Sequence, residues 1–110
     1  SSLYSNTFAM SAAAPAAPSN FTGTAVVSGN NATVTLTWTD NSNNEASFEI
    51  QRATNAAFTT GLNTNTVAAN IITRVETRNR NRSYYYRIRA INAAGVSEWV
   101  NLTPFPLVTP

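Results

Sequence analysis

The feature that most restricts the fold of this chain is residues 32–39, where apolar and polar side chains alternate without a break. Val34, Leu36 and Trp38 fall on one face of an extended segment, and threonines occupy the positions between and beside them. A period of two predicts a strand that is buried on one face and solvated on the other. A helix would spread the same apolar residues around its circumference, so the segment predicts a sheet that covers a core.

A second segment of this kind lies at residues 83–91, where inward apolar positions alternate with outward arginines. Residues 48–52 show the same pattern over a shorter length. These three strands predict a core that consists of Leu36, Trp38, Ile50, Tyr84, Tyr86 and Ile88. Glu49 is expected on the wet face, where a cross-strand ion pair with Arg87 or Arg89 is the ordinary arrangement.

Four weaker strands are predicted at 21–27, within 59–69, at 71–77 and at 96–108. Pro104 and Pro106 interrupt the last one, which predicts an edge position because proline has no backbone N–H to donate. The strand-like segments are short and are separated by turn residues such as those of 40–44. Seven such strands in 110 residues predict one all-β sandwich.

The residue types that are missing limit the chemistry. The chain has no cysteine and no histidine, and its net charge of +2 comes from seven basic and five acidic residues. All seven basic residues are arginines, so no His, Lys or Cys can activate a serine, and we expect neither enzymatic activity nor a cofactor. A charge of +2 does not predict nucleic-acid binding, and no apolar run is long enough to insert into a membrane.

Two candidate sites remain in the body of the chain. Arg74, Arg78, Arg80 and Arg82 fall within nine positions and could form a patch for an acidic glycan or protein surface, because guanidinium groups pair well with carboxylates. The alternative is a solvated loop. Residues 40–45 place oxygens at alternate positions, but Glu45 stands where a calcium loop needs glycine. We therefore expect a turn there, and no metal site.

The chain divides into residues 1–14, an extended N-terminal segment, and residues 15–110, the sandwich. Displaced by 95 positions, residues 1–14 have some similarity to the end of the last strand. The segment is small and polar apart from four large apolar residues, which are expected to contact another copy or a neighbouring repeat: Leu3, Tyr4, Phe8 and Met10. Pro15 and Pro18 predict a stiff joint that carries this segment away from its own sheets.

Several segments resemble, in order, the fibronectin type III family. Residues 18–22 are similar to the opening of that domain, 34–38 to its second strand with a buried Trp, 48–52 to its third strand, and 84–92 with Gly95 to its sixth strand and the following turn. The resemblance covers about residues 15–108. It implies an immunoglobulin-like, seven-stranded antiparallel β-sandwich to which the N-terminal segment is added.

The resemblance also implies a role for Tyr84, which matches the corner tyrosine of the family. Its hydroxyl is expected to donate a hydrogen bond to a backbone carbonyl a few residues upstream. The family usually has a Leu-x-Pro-Gly-Thr type of turn before this tyrosine, whereas residues 78–82 here read Arg-Asn-Arg-Asn-Arg. The geometry of the corner is therefore a point for the structure to decide.

Two functions follow as hypotheses. The first is a non-catalytic extracellular or cell-surface module, a repeat or subunit of a fibre or filament in which copies join head-to-tail through the N-terminal strand. The second is a spacer or carbohydrate-binding accessory module of a secreted multidomain enzyme. A carbohydrate platform needs exposed aromatic residues in a row, for which Tyr85 and Trp99 are the candidates.

Overall fold

The computed structural model describes residues 14–110, in which all regular secondary structure is β. The strands are β1 (Ser19–Ser28), β2 (Asn31–Thr39), β3 (Ser47–Ala53), β4 (Asn63–Ala68), β5 (Thr73–Asn79), β6 (Ser83–Asn92), β7 (Gly95–Val96), β8 (Val100–Asn101) and β9 (Leu107–Val108). Within this part of the chain, no helix is long and apolar enough to cross a membrane.

The strands form two antiparallel sheets. One has the order β1-β2-β5, and the other has the order β4-β3-β6, with β7, β8 and β9 along the far side of β6. The strand predicted over 96–108 is thus divided into three short pieces, and the two prolines lie between β8 and β9. The all-β, immunoglobulin-like sandwich predicted from the sequence is confirmed, and residues 1–13 lie outside the described part.

The core lies between the two sheets and follows from the alternation of the strands. The six residues expected there are at most 8% exposed, and Leu36, Ile50, Tyr86 and Ile88 are fully buried. The ring of Trp38 makes edge contacts with Phe21 and Phe48, whose centroids are 6.0 and 5.7 Å away. Each fully buried large apolar side chain contributes about 1.5–3 kcal/mol, so this cluster is the main source of stability.

One side of the sandwich is closed by the chain at Leu102 and Thr103, which packs against β1. The backbone of Thr103 donates to the Phe21 carbonyl (2.9 Å) and accepts from the Gly23 amide (3.2 Å). Gly23 leaves room for Leu36 and Leu102, since a Cβ at this position would lie 3.0 Å from a methyl carbon of each. The opposite side of the sandwich, at β4 and β5, has no such cover among residues 14–110.

The chain enters and leaves the sandwich at opposite ends of β6. Ala14 lies beside Gly95, which pairs with the last residue of β6. At the other end, the Pro110 carbonyl accepts from the Asn81 amide (3.2 Å), just before β6 begins. Ten residues of strand separate these points, which corresponds to about 30 Å.

The proline joint packs against the sandwich. Pro15 and Pro18 are buried, and the side chain of Asn41 donates to the Ala17 carbonyl at 3.1 Å and to the Ser19 hydroxyl at 2.9 Å. The joint therefore has a fixed position at the end of the sandwich. The expected path of the preceding segment, away from its own sheets, lies outside the described residues.

Candidate interaction surface

A buried carboxylate replaces the apolar core at the β5 side of the sandwich. Alternation along β5 turns Arg74, Glu76 and Arg78 towards the space between the sheets. Arg52 reaches the same place from β3 of the opposite sheet. Glu76 is 7% exposed, and a carboxylate buried to this extent requires charged partners.

Three arginines surround Glu76. Its Oε1 lies 3.2 Å from Arg52 Nη1 and 3.1 Å from Arg78 Nε, and its Oε2 lies 3.3 Å from Arg74 Nε. The Arg52 contact joins the two sheets. The cluster therefore holds three positive charges and one negative charge, and the side chains of Arg74 and Arg78 remain about 30% exposed (31% and 29%).

Two buried donors at this cluster make no hydrogen bond to any described residue: the Tyr86 hydroxyl and the Arg78 Nε. The Arg78 N–H is close to Glu76 but is poorly directed towards it. Tyr86 is fully buried and lies directly opposite Arg52 in the β3–β6 register. Burial, and then the negative charge of Glu76, raise the pKa of the Tyr86 hydroxyl, which stays protonated and able to donate.

The four arginines predicted as one patch are divided by the structure. Arg74 and Arg78 turn inward to Glu76, whereas Arg80 and Arg82 lie exposed on the β5–β6 loop. Arg80 Nε donates to the Pro110 carbonyl at 3.3 Å, and Arg82 Nη1 donates to the Asn81 carbonyl at 3.4 Å.

Sequence reasoning missed Arg52, which completes the cluster. The alternation of side chains along the strands could have indicated it. Residues 74, 76 and 78 lie on one face of β5, and residue 52 lies on the inward face of β3 with Phe48 and Ile50. Proximity in the sequence does not reveal a contact between strands of different sheets.

The outer face of the second sheet carries a stack of arginine and aromatic side chains. The Arg87 guanidinium lies between Phe58 and Trp99, 4.2 and 4.3 Å from their centroids, and the Arg89 guanidinium is 4.2 Å from Trp99. Burial, and then the charge of Arg89, lower the pKa of Arg87. The ion pair of Arg89 with Glu49 (2.6 Å) confirms the cross-strand pair expected from the sequence.

The two aromatic residues considered for carbohydrate binding, Tyr85 and Trp99, pack against other side chains of this face. Both guanidinium groups lie over Trp99, and Tyr85 packs edge-on against Phe105 at 4.9 Å. Tyr85 and Trp99 thus serve in side-chain packing on this face. Stacking of a sugar on Trp99 would have to compete with the cation–π contacts, which are worth about 0.5–2 kcal/mol each.

Residues 40–45 form a turn held by their own side chains. Asp40 Oδ1 accepts from the Ser42 amide (3.0 Å), and Glu45 Oε2 accepts from the Asn70 amide (3.1 Å). Burial raises the pKa of Glu45, but hydrogen bonds from its own amide, from the Asp40 carboxyl and from Asn70 outweigh burial and lower it. The described residues include no group of three or more His, Cys, Asp or Glu side chains that could hold a metal ion.

The Tyr84 hydroxyl bonds five residues upstream, as the corner tyrosine should, but it accepts the bond. Its donor is the Asn79 amide at 3.1 Å, so the expected bond to a carbonyl is wrong. Asn81 has a φ of 57° and stands where the family turn has glycine. Asparagine tolerates this left-handed conformation better than most residues, which explains how the turn forms without Pro-Gly.

The proposed intersubunit residues Leu3, Tyr4, Phe8 and Met10 lie outside the described residues. Their role therefore stays a prediction. Ala14, the last residue of the N-terminal segment and the only one that the structure describes, lies beside Gly95.

Comparison with known proteins identifies the fold. Neither a protein-family model nor a curated protein matches the chain. Among solved structures, it is similar to the fibronectin type III domain of the human collagen alpha-1(XX) chain, with 18% identity, coverage of 88% of this chain and 89% of that chain, and a TM-score of 0.65. It is also similar to a structure described as that of a myokine, with 20% identity, coverage of 88% and 99%, and a TM-score of 0.59. The chain therefore has the fibronectin type III fold.

Proposed function

We propose that this protein is a non-catalytic extracellular module that joins with other copies or neighbouring domains in series. The observation that carries the proposal is the position of the two chain ends. The chain enters beside Gly95 and leaves beside Asn81, at opposite ends of β6. Domains connected through such points lie end to end, and each adds its length to a fibre.

The positions of both ends are fixed by direct contacts. The joint at 15–18 is held by Asn41, and Thr109 is held by the loop before β6. The Thr109 hydroxyl donates to the Asn79 carbonyl (2.8 Å) and accepts from the Arg82 amide (2.9 Å). Fixed ends favour a defined orientation between successive copies.

The composition supports a role without catalysis. The sequence contains no His, Cys or Lys, and each described carboxylate has a structural partner or faces solvent. The Asp40–Glu45 pair, which comes closest to an acid–base pair, is occupied with the Ser42 and Asn70 amides.

Head-to-tail assembly needs an acceptor for the N-terminal segment, and β4 fits this role. It is an edge strand of six residues (Asn63–Ala68) with a regular register to β3 and without a charge or a proline. Natural edges usually carry charges, prolines or bulges that prevent pairing with another chain. An extended segment of a second copy could pair with β4 through its backbone and bury Leu3, Tyr4, Phe8 and Met10 on the neighbour.

The test is to delete residues 1–14 and to compare the particle sizes of the two proteins by sedimentation velocity and electron microscopy. The truncated chain should remain folded and monomeric, while the full chain assembles. Asn65→Lys in the full chain should also prevent assembly, and Thr24→Lys, which adds the same charge on β1, should not. Assembly of the truncated chain to the same particles would contradict the proposal.

The same chain geometry suits a spacer module in a secreted multidomain enzyme, which is the second candidate. The mass of the natural polypeptide distinguishes the two. A subunit of about 11.8 kDa that forms large assemblies supports the first, and a long chain with a hydrolase region supports the second.

A further inference from the structure

The cluster around Glu76 has more positive charge and more donors than its own residues can satisfy. Three guanidinium groups share one carboxylate. The Tyr86 hydroxyl and Arg78 Nε are buried donors that make no hydrogen bond within residues 14–110, although Arg78 Nε lies 3.1 Å from Glu76 Oε1. Buried donors of this kind are rare, because each one raises the free energy of the folded state unless an acceptor reaches it. The chemistry that suits the cluster is a second carboxylate.

The cluster also borders an open sheet edge. β5 pairs with β2 on one side, in regular register from Thr73↔Thr37 to Asn79↔Asn31, and no described strand pairs with its other side. On the outward face of β5, Val75 is 61% exposed. An edge of seven residues without a bulge can accept an extended peptide through main-chain hydrogen bonds. The inward charges of β5 prevent pairing with most strands, so only a strand whose charges match them can bind.

We propose that the outer edge of β5 binds an extended acidic protein segment whose carboxylates pair with Arg74 and Arg78. In a strand added to β5, side chains opposite Arg74 and Arg78 would turn towards the space between the sheets. Directly opposite residues have Cβ atoms about 4.5–5.5 Å apart, which is within reach of a carboxylate. Both arginines keep about 30% of their side chains exposed on this side (31% and 29%).

The geometry specifies the spacing of the acids. The position opposite Glu76 lies between the two arginines and must not carry a negative charge, because like charges directly opposite are destabilising. The acids therefore belong four residues apart, with a neutral residue midway. Residues 1–14 contain no acid, so the occupant is a different segment from the one proposed for β4, and this inference does not depend on head-to-tail assembly.

A titration of the full chain with fluorescent peptides tests the proposal. The probe is Thr-Glu-Thr-Ser-Thr-Glu-Thr, and its matched controls are the same peptide with Gln for both Glu and an isomer with the two Glu three residues apart. The i, i+4 peptide should bind at least about tenfold more tightly than either control, since two charge-assisted hydrogen bonds form only with this spacing. Binding should slow hydrogen exchange of β5 amides.

Variants of the protein locate the site. Arg78→Gln should weaken binding by about tenfold, whereas Arg89→Gln, on the outer face of the other sheet, should leave it unchanged. Because the peptide controls use the unmodified protein, the spacing test holds even if Arg78→Gln is unstable.

Three results would overturn the proposal. Equal binding of the two acidic peptides would show a general attraction of charge. Binding of an oligouronate but not of the peptide would assign the cluster to an acidic glycan. Absence of binding to all probes, with unchanged exchange of β5 amides, would show that the cluster serves the fold alone.

Discussion

Tyr84 and Tyr86 offer a matched test of what the structure says about buried hydroxyls. They lie two positions apart on β6, both face the core, and they are 8% and 0% exposed. The Tyr84 hydroxyl accepts a hydrogen bond from the Asn79 amide, whereas the Tyr86 hydroxyl has no hydrogen-bond partner in the described part of the chain. The same change, Tyr to Phe, should therefore destabilise the domain at Tyr84 but not at Tyr86.

Tyr84→Phe removes a hydrogen bond and leaves the Asn79 amide without its acceptor. Asn79 is exposed, so water can replace the hydroxyl, and the loss should be about 1 kcal/mol. Tyr86→Phe removes a buried polar group without a partner, so the free energy of unfolding should be unchanged or should rise by up to about 1 kcal/mol. Each kcal/mol corresponds to a shift of about 4–8 °C in Tm for a domain of this size.

Urea unfolding measures both effects, provided that the slope m is the same for the three proteins. A second measurement uses alkaline pH. Because folding raises the pKa of Tyr86 above its ordinary value of 10.0, the unfolded chain loses this proton at a lower pH than the folded chain. The free energy of unfolding is therefore unaffected by this group below pH 10 and decreases as pH rises above that value. Tyr86→Phe should reduce this alkaline loss. If Tyr86→Phe destabilises the domain as much as Tyr84→Phe, the hydroxyl has a partner and the reasoning is refuted.

Three further predictions concern stability. Trp38→Ala should lower the free energy of unfolding by about 3–5 kcal/mol, and an unchanged Tm would contradict its place in the core. Gly23→Ala should cost about 1–3 kcal/mol by crowding Leu36 and Leu102, and urea unfolding would show an effect near zero if these leucines can move aside. Since folding lowers the pKa of Glu45 below its ordinary 4.5, its contribution is present above that pH and is lost as pH falls; Glu45→Gln should be less stable at pH 7 and should lose less stability on acidification, and parallel pH curves would contradict this.

The sequence predicted the fold because its two longest alternating strands also form the centre of the sandwich. β2 lies in the middle of its sheet, and β6 contacts β3 on one side and three short strands on the other. Where alternation is strict and both neighbours are present, the inward residues are buried as expected. Val34, Leu36 and Trp38 are therefore buried in the core, as their alternation predicts.

The β5 cluster was harder to predict, because β5 carries charged residues on its inward face. A search for apolar periodicity finds only Val75, which points outward and is 61% exposed. Arginines that are close in the sequence suggested a loop patch, but β5 ends at Asn79. Arg74 and Arg78 therefore lie on the inward face of the strand, whereas Arg80 and Arg82 lie on the loop that follows it. Contacts such as that of Arg52 with Glu76 depend on how the two sheets pack against each other. The sequence pattern within a single strand does not predict this packing.

Phe58 was missed for a related reason. It lies in the loop between β3 and β4, has a φ of 57°, and is 7% exposed beneath Arg87. A phenylalanine in a left-handed conformation is uncommon, and the neighbouring residues in the sequence do not predict this conformation. Its burial depends on a cation from β6, which is a tertiary contact.

The division of the last strand determines how the domain would respond to a pulling force. When Ala14 and Pro110 are pulled apart, the C-terminal part of the chain is held to β6 by three separate strands, β7, β8 and β9, each two residues long. β1, in contrast, pairs with β2 over eight aligned positions. The three C-terminal strands can instead detach one after another. The hydrogen bonds of Thr109 and Pro110 with the loop before β6 break first, and Leu107 then leaves the core at a cost of about 1.5–3 kcal/mol. A row of such domains under load would lengthen in small steps, and each copy would keep its central strands intact until its last leucine anchor, Leu102, is withdrawn.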